Sequence, residues 1–469
     1  MQGIIALIVY ALLMVGATKA FTKREDGGES FHVGHRNMGM VVSAMSIAAT
    51  WIWAPALFTS AEKAYSNGIA GLFWFLVPNI LCLILFIPFA RKIRRDMPDG
   101  ITLSGYMHKK YKSEPVKRVY LFQLTALTIL STAVQLLAGG KILSTATGLP
   151  LWAMTIVLAV IAFSYSQISG IKASVFTDTI QMVFLLLVCA IFVPWALKLN
   201  GGTAAIQIAG ASGEYGHLFS EKGLEVFLGF GLPTAIGLFA GPFGDQCFWQ
   251  RAFSIRKDRI GRSFGLGAVM FAVVPLSMGI LGFIASGTGF IPADTGMVNF
   301  ELIKAIFPAW VIIPFMFMLI SGLLSTVDSN LCAIASLTTD LKATARLKDA
   351  DQIKVSKASM IVLLIVGILI ANIPGLTVTH MFLFYCTLRA TTMLPTMLTL
   401  MNARLTASGV VAGVLTAFLV GLPIFAYGTI SNLSAYKTAG SLITVLSSGI
   451  IALAVSKIPK RRERDGHGK

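Results

Sequence analysis

A long apolar stretch of the chain, residues 308–338, carries a cluster of polar side chains that could bind a cation. The cluster consists of Ser321, Ser325, Thr326, Asp328 and Ser329. Ser321 and Ser325 are four residues apart and share one helix face, and hydroxyl oxygens suit a hard cation such as sodium. Hydrogen bonding between neighbouring helices would explain the serines equally well. It would not explain Asp328, because an ionisable residue inside an apolar span usually has a functional role.

Two other apolar stretches contain helix-breaking residues near their centres. In Ser43–Pro55, the proline lacks an amide donor and clashes with the carbonyl four residues before it, which predicts a break between Thr50 and Pro55. The second stretch, Gly229–Asp245, is rich in glycine and proline. Secondary transporters place broken helices at matching positions of two repeats, and the freed carbonyls bind ions. Ordinary kinked membrane helices are the alternative interpretation.

Further ionisable and amide side chains lie in or near apolar stretches. Asp178 and Glu225 lie near the ends of their stretches, where a position at the membrane interface is the alternative to a functional role. Arg389 lies nearer to mid-depth and needs a partner, which the sequence does not identify. The full set is Gln135, Asp178, Gln181, Glu225, Asp245 and Arg389.

The composition indicates the elements that must position these residues. The chain has 469 residues, of which 55% are apolar and 13% charged, and its mean hydropathy is +0.77. A soluble chain is about 25% charged, so most soluble enzymes and long disordered proteins are excluded. Since a spanning helix needs about 20 mostly apolar residues, the sequence predicts an all-α integral membrane protein with about 13 transmembrane helices. Their approximate ranges are 2–20, 38–60, 69–90, 118–139, 150–168, 174–197, 223–245, 264–286, 308–338, 356–373, 376–401, 406–427 and 437–456.

The excess of basic residues predicts the orientation of these helices. The formal net charge is +17. With the N-terminus outside, 31 of the 38 Lys and Arg residues, Arg251 among them, lie in predicted inner loops or the tail, against 6 in outer segments. Basic residues concentrate on the cytoplasmic side, so we expect a plasma-membrane protein whose C-terminus, including a basic tail at 457–469, is cytoplasmic. The same residues border the lipid bilayer, and nucleic acid is not expected as a partner.

Four segments resemble, in the same order, motifs of the sodium:solute symporter family. They are the stretch around Ala49–Trp53, then Ser169–Gln181, Gly244–Arg251, and Leu324–Asn330, which precedes Thr338–Asp340. The resemblance implies a LeuT-type fold, with two inverted five-helix repeats and flanking helices, and secondary transport driven by a sodium gradient. It assigns residues 38–197 to the first repeat and 223–401 to the second, within a single domain of residues 1–469.

The resemblance also implies which residues bind sodium and solute. The sodium ion would take backbone carbonyls from Ala49, Ile52 and Gly322 and the hydroxyls of Ser325 and Thr326. Asp178 would lie on the sodium route to the cytoplasm. The solute would lie beside the first break, against Thr50, Trp51, Trp53, Gln135, Asp245 and Gln246, while packing alone is the alternative role for the two tryptophans. Asp328 and Arg389 would have a coupling or structural role.

The function predicted from these observations is sodium-coupled symport of a small polar solute, urea-like or amino-acid-like. Within the family, three segments look most similar to the urea-transporting branch: Ser46 to Ala54 with Trp51 and Trp53, Gly71 with Phe73-Trp74, and Leu388-Arg389-Ala390 with Leu394-Pro395-Thr396. Proton coupling is the main alternative, because Asp178, Asp245 and Asp328 can titrate. A channel and a transporter-like sensor are weaker alternatives. An enzyme is not expected, since the sequence has no nucleophile–base constellation, phosphate-binding loop or metal-ligand cluster.

Overall fold

The computed structural model describes residues 2–21, 27–199, 201–211, 216–344 and 347–458, which are largely helical. The first half contains α1 (Gln2–Phe21), α2 (Gly28–Val33), α3 (Met40–Trp51), α4 (Ala54–Leu57), α5 (Thr59–Asp96), α6 (Leu103–Tyr111), α7 (Glu114–Thr147), α8 (Leu151–Ser169), α9 (Ile171–Leu199) and α10 (Gly202–Ala211). The second half contains α11 (Glu221–Val226), α12 (Leu232–Phe239), α13 (Gly241–Gly244), α14 (Gln246–Ser254), α15 (Ile260–Gly287), α16 (Val298–Ile306), α17 (Ile312–Leu337), α18 (Asp349–Ala371), α19 (Val378–Leu400), α20 (Ala407–Thr416), α21 (Leu422–Ile430) and α22 (Ser434–Lys457). Short π-helical segments at Phe227–Gly231 and Ala417–Gly421 join α11 to α12 and α20 to α21.

The all-helical membrane architecture predicted from composition is confirmed, whereas the number of spans is not. Ten helical runs of the described residues are long and apolar enough to cross a bilayer. Leu7–Ala20 and Met40–Trp51 are apolar but shorter. Each of the thirteen predicted spans overlaps a helix of the structure. The predicted span at 376–401 overlaps α19, which belongs neither to the ten long apolar helices nor to the two shorter ones. The count of thirteen therefore stays a prediction.

The order of the long helices gives two successive runs of five. The first run comprises α3 with α4, then α5, α7, α8 and α9, and the second comprises α11–α14, then α15, α17, α18 and α19. The runs pack against each other, because α15 lies along α5 and α3, and α17 lies against α7 and α9. The bounds 38–197 and 223–401 of the two repeats stay a prediction. Of the predicted basic tail, residues 459–469 lie outside the described residues.

Predicted inner loops contact one another, and so do predicted outer loops. On the inner side, Arg36 donates to the carbonyl of Asp99 at 2.9 Å, and the Thr102 hydroxyl donates to Asp340 at 2.7 Å. On the outer side, Lys141 lies 3.9 Å from Asp294. This arrangement agrees with the predicted alternation of crossings, because loops on one side of a membrane must lie together.

Candidate substrate and sodium sites

The first repeat begins with a helix that is interrupted where the sequence predicts a break. α3 ends at Trp51, Ile52 and Trp53 leave the helical conformation, and α4 starts at Ala54. Pro55 explains the interruption, because it cannot donate to the preceding turn and is tolerated only in the first turn of the new helix. The amide of Ile52 is shared between the carbonyls of Ala48 and Ala49, at 2.9 and 3.1 Å.

Gln135 of α7 holds this break from the side. Its Oε1 accepts the amide of Ala54, the first residue of α4, at 2.8 Å, and its Nε2 donates to the Ser131 carbonyl at 3.2 Å. The amide at a helix start has no partner within the helix, so Gln135 supplies the missing acceptor. Gln135 thus lies at the predicted site, with a contact that positions the backbone.

The second repeat also begins with an interrupted helix, and Asp245 occupies the break. Its backbone is extended, with φ −117° and ψ 117°, between α13 and α14. Oδ1 of Asp245 accepts the amide of Cys247 at 2.9 Å and so caps α14. The predicted span ended at 245, whereas the helix resumes after the break and runs to Ser254.

The partner that Arg389 requires is Asp245. Nη2 of Arg389 lies 3.0 Å from Oδ2 of Asp245 and also donates to the hydroxyl of Tyr385. That hydroxyl donates in turn to the same carboxylate oxygen at 3.0 Å. All three side chains are buried. The pair joins α19 to the second break across 144 positions of sequence, a separation that leaves no local signal.

Aromatic rings surround the Arg389 guanidinium. Its central carbon lies 4.9 Å from the ring centre of Trp51, 5.0 Å from that of Trp53 and 3.8 Å from that of Tyr385. The two tryptophan rings are 6.0 Å apart. The indole of Trp51 donates to the Asn79 carbonyl at 3.1 Å. The structure therefore brings the two predicted tryptophans and Asp245 together with Arg389.

The five predicted sodium ligands come together only in part. An ideal Cβ built on Gly322 would lie 3.4 Å from the Ile52 carbonyl oxygen, so α17 passes close to the first break. The Thr326 hydroxyl lies 3.3 Å from the carbonyl of Thr50 and 3.4 Å from that of Gly322. The carbonyl of Ala49 accepts the Ile52 amide, and Thr50 provides the carbonyl that faces Thr326.

Ser325 connects this region to Asp178 of α9. The Ser325 hydroxyl donates to Oδ1 of Asp178 at 2.5 Å, and the Ser46 hydroxyl donates to Oδ2 at 2.5 Å. Arg251 completes the set, with its Nη2 3.0 Å from Oδ2. Asp178 is fully buried, so its carboxylate is held by a guanidinium and two hydroxyls rather than by water at an interface.

Arg251 lies in a buried helix and not in the inner loop that the sequence predicts for it. It is 1% exposed and belongs to α14. Beyond Asp178 it donates to Ser46 at 3.0 Å and to Ser329 at 2.7 Å. A local signal existed, because Arg251 is the sole charged residue in Gln246–Ser254, among aromatic neighbours.

Thr50 and Asp328 lie on the same polar network. The Thr50 hydroxyl is 2.9 Å from that of Ser329, and so it joins the Arg251 network rather than the aromatic cluster. Asp328 is fully buried and accepts from Ser174 at 2.7 Å and from Thr177 at 3.0 Å. Asp328 therefore lies within the helix bundle, where its donors are hydroxyl groups.

Gln246 lies elsewhere. Its Nε2 donates to the carbonyl of Ile101 at 2.9 Å and to the Ser336 hydroxyl at 3.1 Å, and its Oε1 accepts the amide of Leu103 at 3.2 Å. These contacts tie α14 to the start of α6 and the end of α17. The structure therefore does not bring Gln246 to the aromatic cluster, because its amide group is used in joining helix ends.

A cavity of about 230 Å³ opens among the predicted outer loops. Phe58, the residue that follows α4, forms part of its wall. Glu62, Lys141 and Asp294 line the same cavity and give it charges of both signs. The cavity thus approaches the first break from the predicted outer side.

Comparison with known proteins agrees with this architecture. The chain is 22% identical to the rice (Oryza sativa subsp. japonica) "Urea-proton symporter DUR3" in an alignment of 504 positions, gaps included, which covers 96% of this chain and 69% of the relative. It is 24% identical to the "Sodium/pantothenate symporter" of Escherichia coli (strain K12), covering 90% of this chain and 92% of the relative. It is 26% identical to the "Probable urea active transporter 1" of Schizosaccharomyces pombe, and this match covers 59% of this chain but only 44% of the relative.

The fold and the family are established by two further matches. The solved structure of a sodium-coupled sialic acid symporter has a TM-score of 0.76 at 17% identity and covers 96% of this chain and 98% of that one. The structural neighbours of this chain are thus LeuT-fold transporters, and the predicted fold class is confirmed. The model described as "Sodium:solute symporter family" matches residues 31–417. The chain is therefore a multi-pass membrane protein that carries out secondary active solute symport, and it belongs to the sodium:solute symporter family.

Proposed function

We propose that this protein is a sodium-coupled symporter of a small polar solute of the urea class. The observation that carries the proposal is the meeting of the first break with α17, where the Ile52 carbonyl approaches Gly322 and the Thr326 hydroxyl lies between two carbonyls. Hard cations take oxygen ligands of this kind. The urea relative named above and the match to the sodium:solute symporter family support the solute and the ion respectively.

The hydroxyl of Ser325 suits a sodium ligand even though it is hydrogen-bonded. A hydroxyl has one donor and two acceptor lone pairs. Ser325 uses its donor on Asp178 at 2.5 Å, so that its lone pairs remain free for a cation. Asp178 would then orient the ligand and add negative charge behind it, the contribution that an outer-shell partner makes at a metal site.

The test is uptake of radiolabelled urea into vesicles that contain the purified protein. Ser325→Ala combined with Thr326→Ala removes both side-chain ligands, and we expect sodium stimulation of uptake to be lost. Ser321→Ala is the matched control, because Ser321 lies one turn away on α17 and its hydroxyl donates to Tyr10 of α1 at 3.2 Å. Unchanged sodium dependence in the double variant would refute the assignment of these ligands.

Proton coupling is the second candidate, and Asp328 is the observation that favours it. This carboxyl group is fully buried and held by the hydroxyls of Ser174 and Thr177, a setting that accommodates a protonated as well as an ionised acid. A rice relative carries the name of a proton symporter. If protons drive transport, an inward pH gradient without sodium supports uptake and Asp328→Asn abolishes it. If sodium drives transport, the pH gradient alone has no effect.

We also place this protein in the plasma membrane with its N-terminus outside. The excess of basic residues in predicted inner loops supports this orientation. The five native cysteines are buried, so single new cysteines report accessibility cleanly. In intact cells, a membrane-impermeant maleimide should label Ser431→Cys and leave Lys257→Cys unlabelled until the cells are opened. The reverse pattern would invert the topology.

A further inference from the structure

Two nitrogens of the Arg389 guanidinium are unpaired hydrogen-bond donors. Nη2 donates to Asp245 and Tyr385, but Nε and Nη1 are buried and have no hydrogen-bond partner among the described residues. The indole Nε1 of Trp53 is likewise buried without a hydrogen-bond partner among the described residues. The ring centre of Trp53 lies 5.0 Å from the guanidinium carbon. Buried donors without acceptors are unfavourable, so this region favours a ligand that brings an acceptor oxygen.

Buried acceptors without a donor are found on two residues that bond to neighbours of Arg389. Gln123 donates its Nε2 to the carbonyl of Gly244 at 3.1 Å, while its Oε1 has no partner among the described residues. Gly244 packs against the Arg389 backbone, because an ideal Cβ on the glycine would lie 2.9 Å from the Arg389 Cα. Asn79, whose carbonyl accepts the Trp51 indole, likewise has an unpaired Oδ1. A matching ligand therefore also carries N–H donors.

The charge balance of the Arg389–Asp245 pair and the flat rings around it favour a ligand that is neutral and planar. Arg389 and Asp245 neutralise each other at 3.0 Å, so a ligand with a net charge would leave an unbalanced charge in a buried site. The ring centres of Trp51, Trp53 and Tyr385 lie 4.9, 5.0 and 3.8 Å from the guanidinium carbon. Flat aromatic faces beside the guanidinium suit a small planar solute.

We propose that Arg389 is the residue that binds the solute, through the carbonyl oxygen of a small neutral amide such as urea. Its Nε or Nη1, together with the Trp53 indole, donates to that oxygen. Gln123 and Asn79 accept from the N–H groups of the solute. Asp245 and Tyr385 hold the guanidinium in place. This inference rests on the proposed urea-class function and assigns to Arg389 the substrate contact within it.

The first test compares Arg389→Lys with the wild type in urea uptake. Lysine keeps the charge opposite Asp245 but loses the planar fork of donors. We expect the KM for urea to rise about tenfold or more, since a buried hydrogen bond to substrate is lost, while the sodium concentration for half-maximal stimulation stays unchanged. Arg262→Lys, on the exposed surface of α15, is the control. A wild-type KM in Arg389→Lys would overturn the inference.

The pair variant Asp245→Asn with Arg389→Gln controls for folding. It leaves no unpaired charge, so its thermal stability without solute should stay close to that of the wild type, while stabilisation by urea is lost. Retained stabilisation by urea would overturn the inference.

A competition experiment on the wild type tests the class of solute. Acetamide should compete with urea because it has a carbonyl and an N–H group. Guanidinium, which has no carbonyl oxygen, and acetate, which is charged, should not compete, and strong competition by acetate would refute the neutral-amide class.

Failure of this inference and failure of the proposed function give different results. The rise in melting temperature that urea causes in the wild-type protein measures solute binding, whichever ion drives uptake. If urea stabilises the wild type but not Arg389→Lys, the inference holds even when sodium fails to stimulate uptake. If sodium drives urea uptake equally well in both proteins, the proposed function holds and the inference is wrong.

Discussion

The buried pair of Arg251 and Asp178 allows the sharpest prediction about the structure around Ser325 and Thr326, the proposed side-chain ligands of sodium. Arg251→Gln removes a guanidinium that donates to Ser46, Cys247, Asp178 and Ser329. Asp178 then keeps only the hydroxyls of Ser46 and Ser325. Removing one partner of a buried ion pair costs about 3–5 kcal/mol, because the other charge is left uncompensated. We therefore expect Arg251→Gln to be among the most destabilising single substitutions in this chain.

The matched control is Arg256→Gln, five residues further along. Arg256 forms an ion pair with Asp258 at 2.7 Å, but both side chains are about half exposed. A surface ion pair contributes at most about 1 kcal/mol, so this variant should behave like the wild type. Thermal unfolding in detergent, followed by tryptophan fluorescence, compares the two variants under the same conditions. Equal stability of Arg251→Gln and Arg256→Gln would refute the reasoning.

A double substitution separates loss of the pair from loss of either residue alone. Asp178→Asn combined with Arg251→Gln removes both charges and leaves polar side chains of similar size. Because the cost of the single substitution comes from the unpaired charge, the double variant should be more stable than Arg251→Gln by at least about 1 kcal/mol. Its sodium stimulation should still be lost, since Asp178 is absent. Additive destabilisation would mean that the two groups act independently.

Two further predictions concern other parts of the fold. Burial lowers the pKa of His32, in the short helix before α3, from its ordinary value of about 6.5 to about 4. Between pH 4 and pH 6.5, His32 therefore binds a proton in the unfolded chain but not in the folded chain. The free energy of unfolding falls as the pH drops through this range, by about 1.4 kcal/mol at pH 5.5. His32→Gln should reduce this pH dependence in thermal unfolding, and His380→Gln, at an exposed position, is the control. A Cβ at Gly237 of α12 would overlap Cys386 of α19, so Gly237→Ala should destabilise the protein by about 1–3 kcal/mol and impair uptake, while Gly265→Ala in α15, where the added methyl meets open space, should leave both unchanged.

The sequence predicted what depends on local properties. Apolar length predicted the all-helical membrane architecture, because a helix that crosses a bilayer needs about 20 apolar residues, although the count of thirteen spans is not confirmed. Pro55 identified the first break, because a missing amide donor acts within one turn. The break at Asp245 was placed only roughly, and the helix beyond it, Gln246–Ser254, was missed. Its one arginine in a short stretch resembled a loop charge of the kind that marks the cytoplasmic side.

Pairings between distant residues were outside the reach of the sequence. Arg389 required a partner, but its contact with Asp245 depends on how α19 packs on the second break. The sequence places Gln246 beside the solute together with its neighbour Asp245, but the structure separates the contacts of the two side chains. Asp245 at the break faces the aromatic cluster, whereas Gln246 turns towards α6 and Ser336. These contacts depend on how the second break packs against distant helices, which no pattern in a single sequence specifies.

The two buried ion pairs differ in what they join, and this difference bears on the transport cycle. Asp245 and Arg389 both belong to the second run of five helices, so their pair can move as a unit when the two runs shift against each other. Asp178 belongs to the first run and Arg251 to the second, and their contact spans the interface between the runs. Ser325 donates to the same carboxylate, so a cation bound at its lone pairs would change the charge balance of that contact. If sodium binds at Ser325 and Thr326 as proposed, its occupancy would reach the interface through Asp178, and this carboxylate would link ion binding to the relative movement of the two runs of helices.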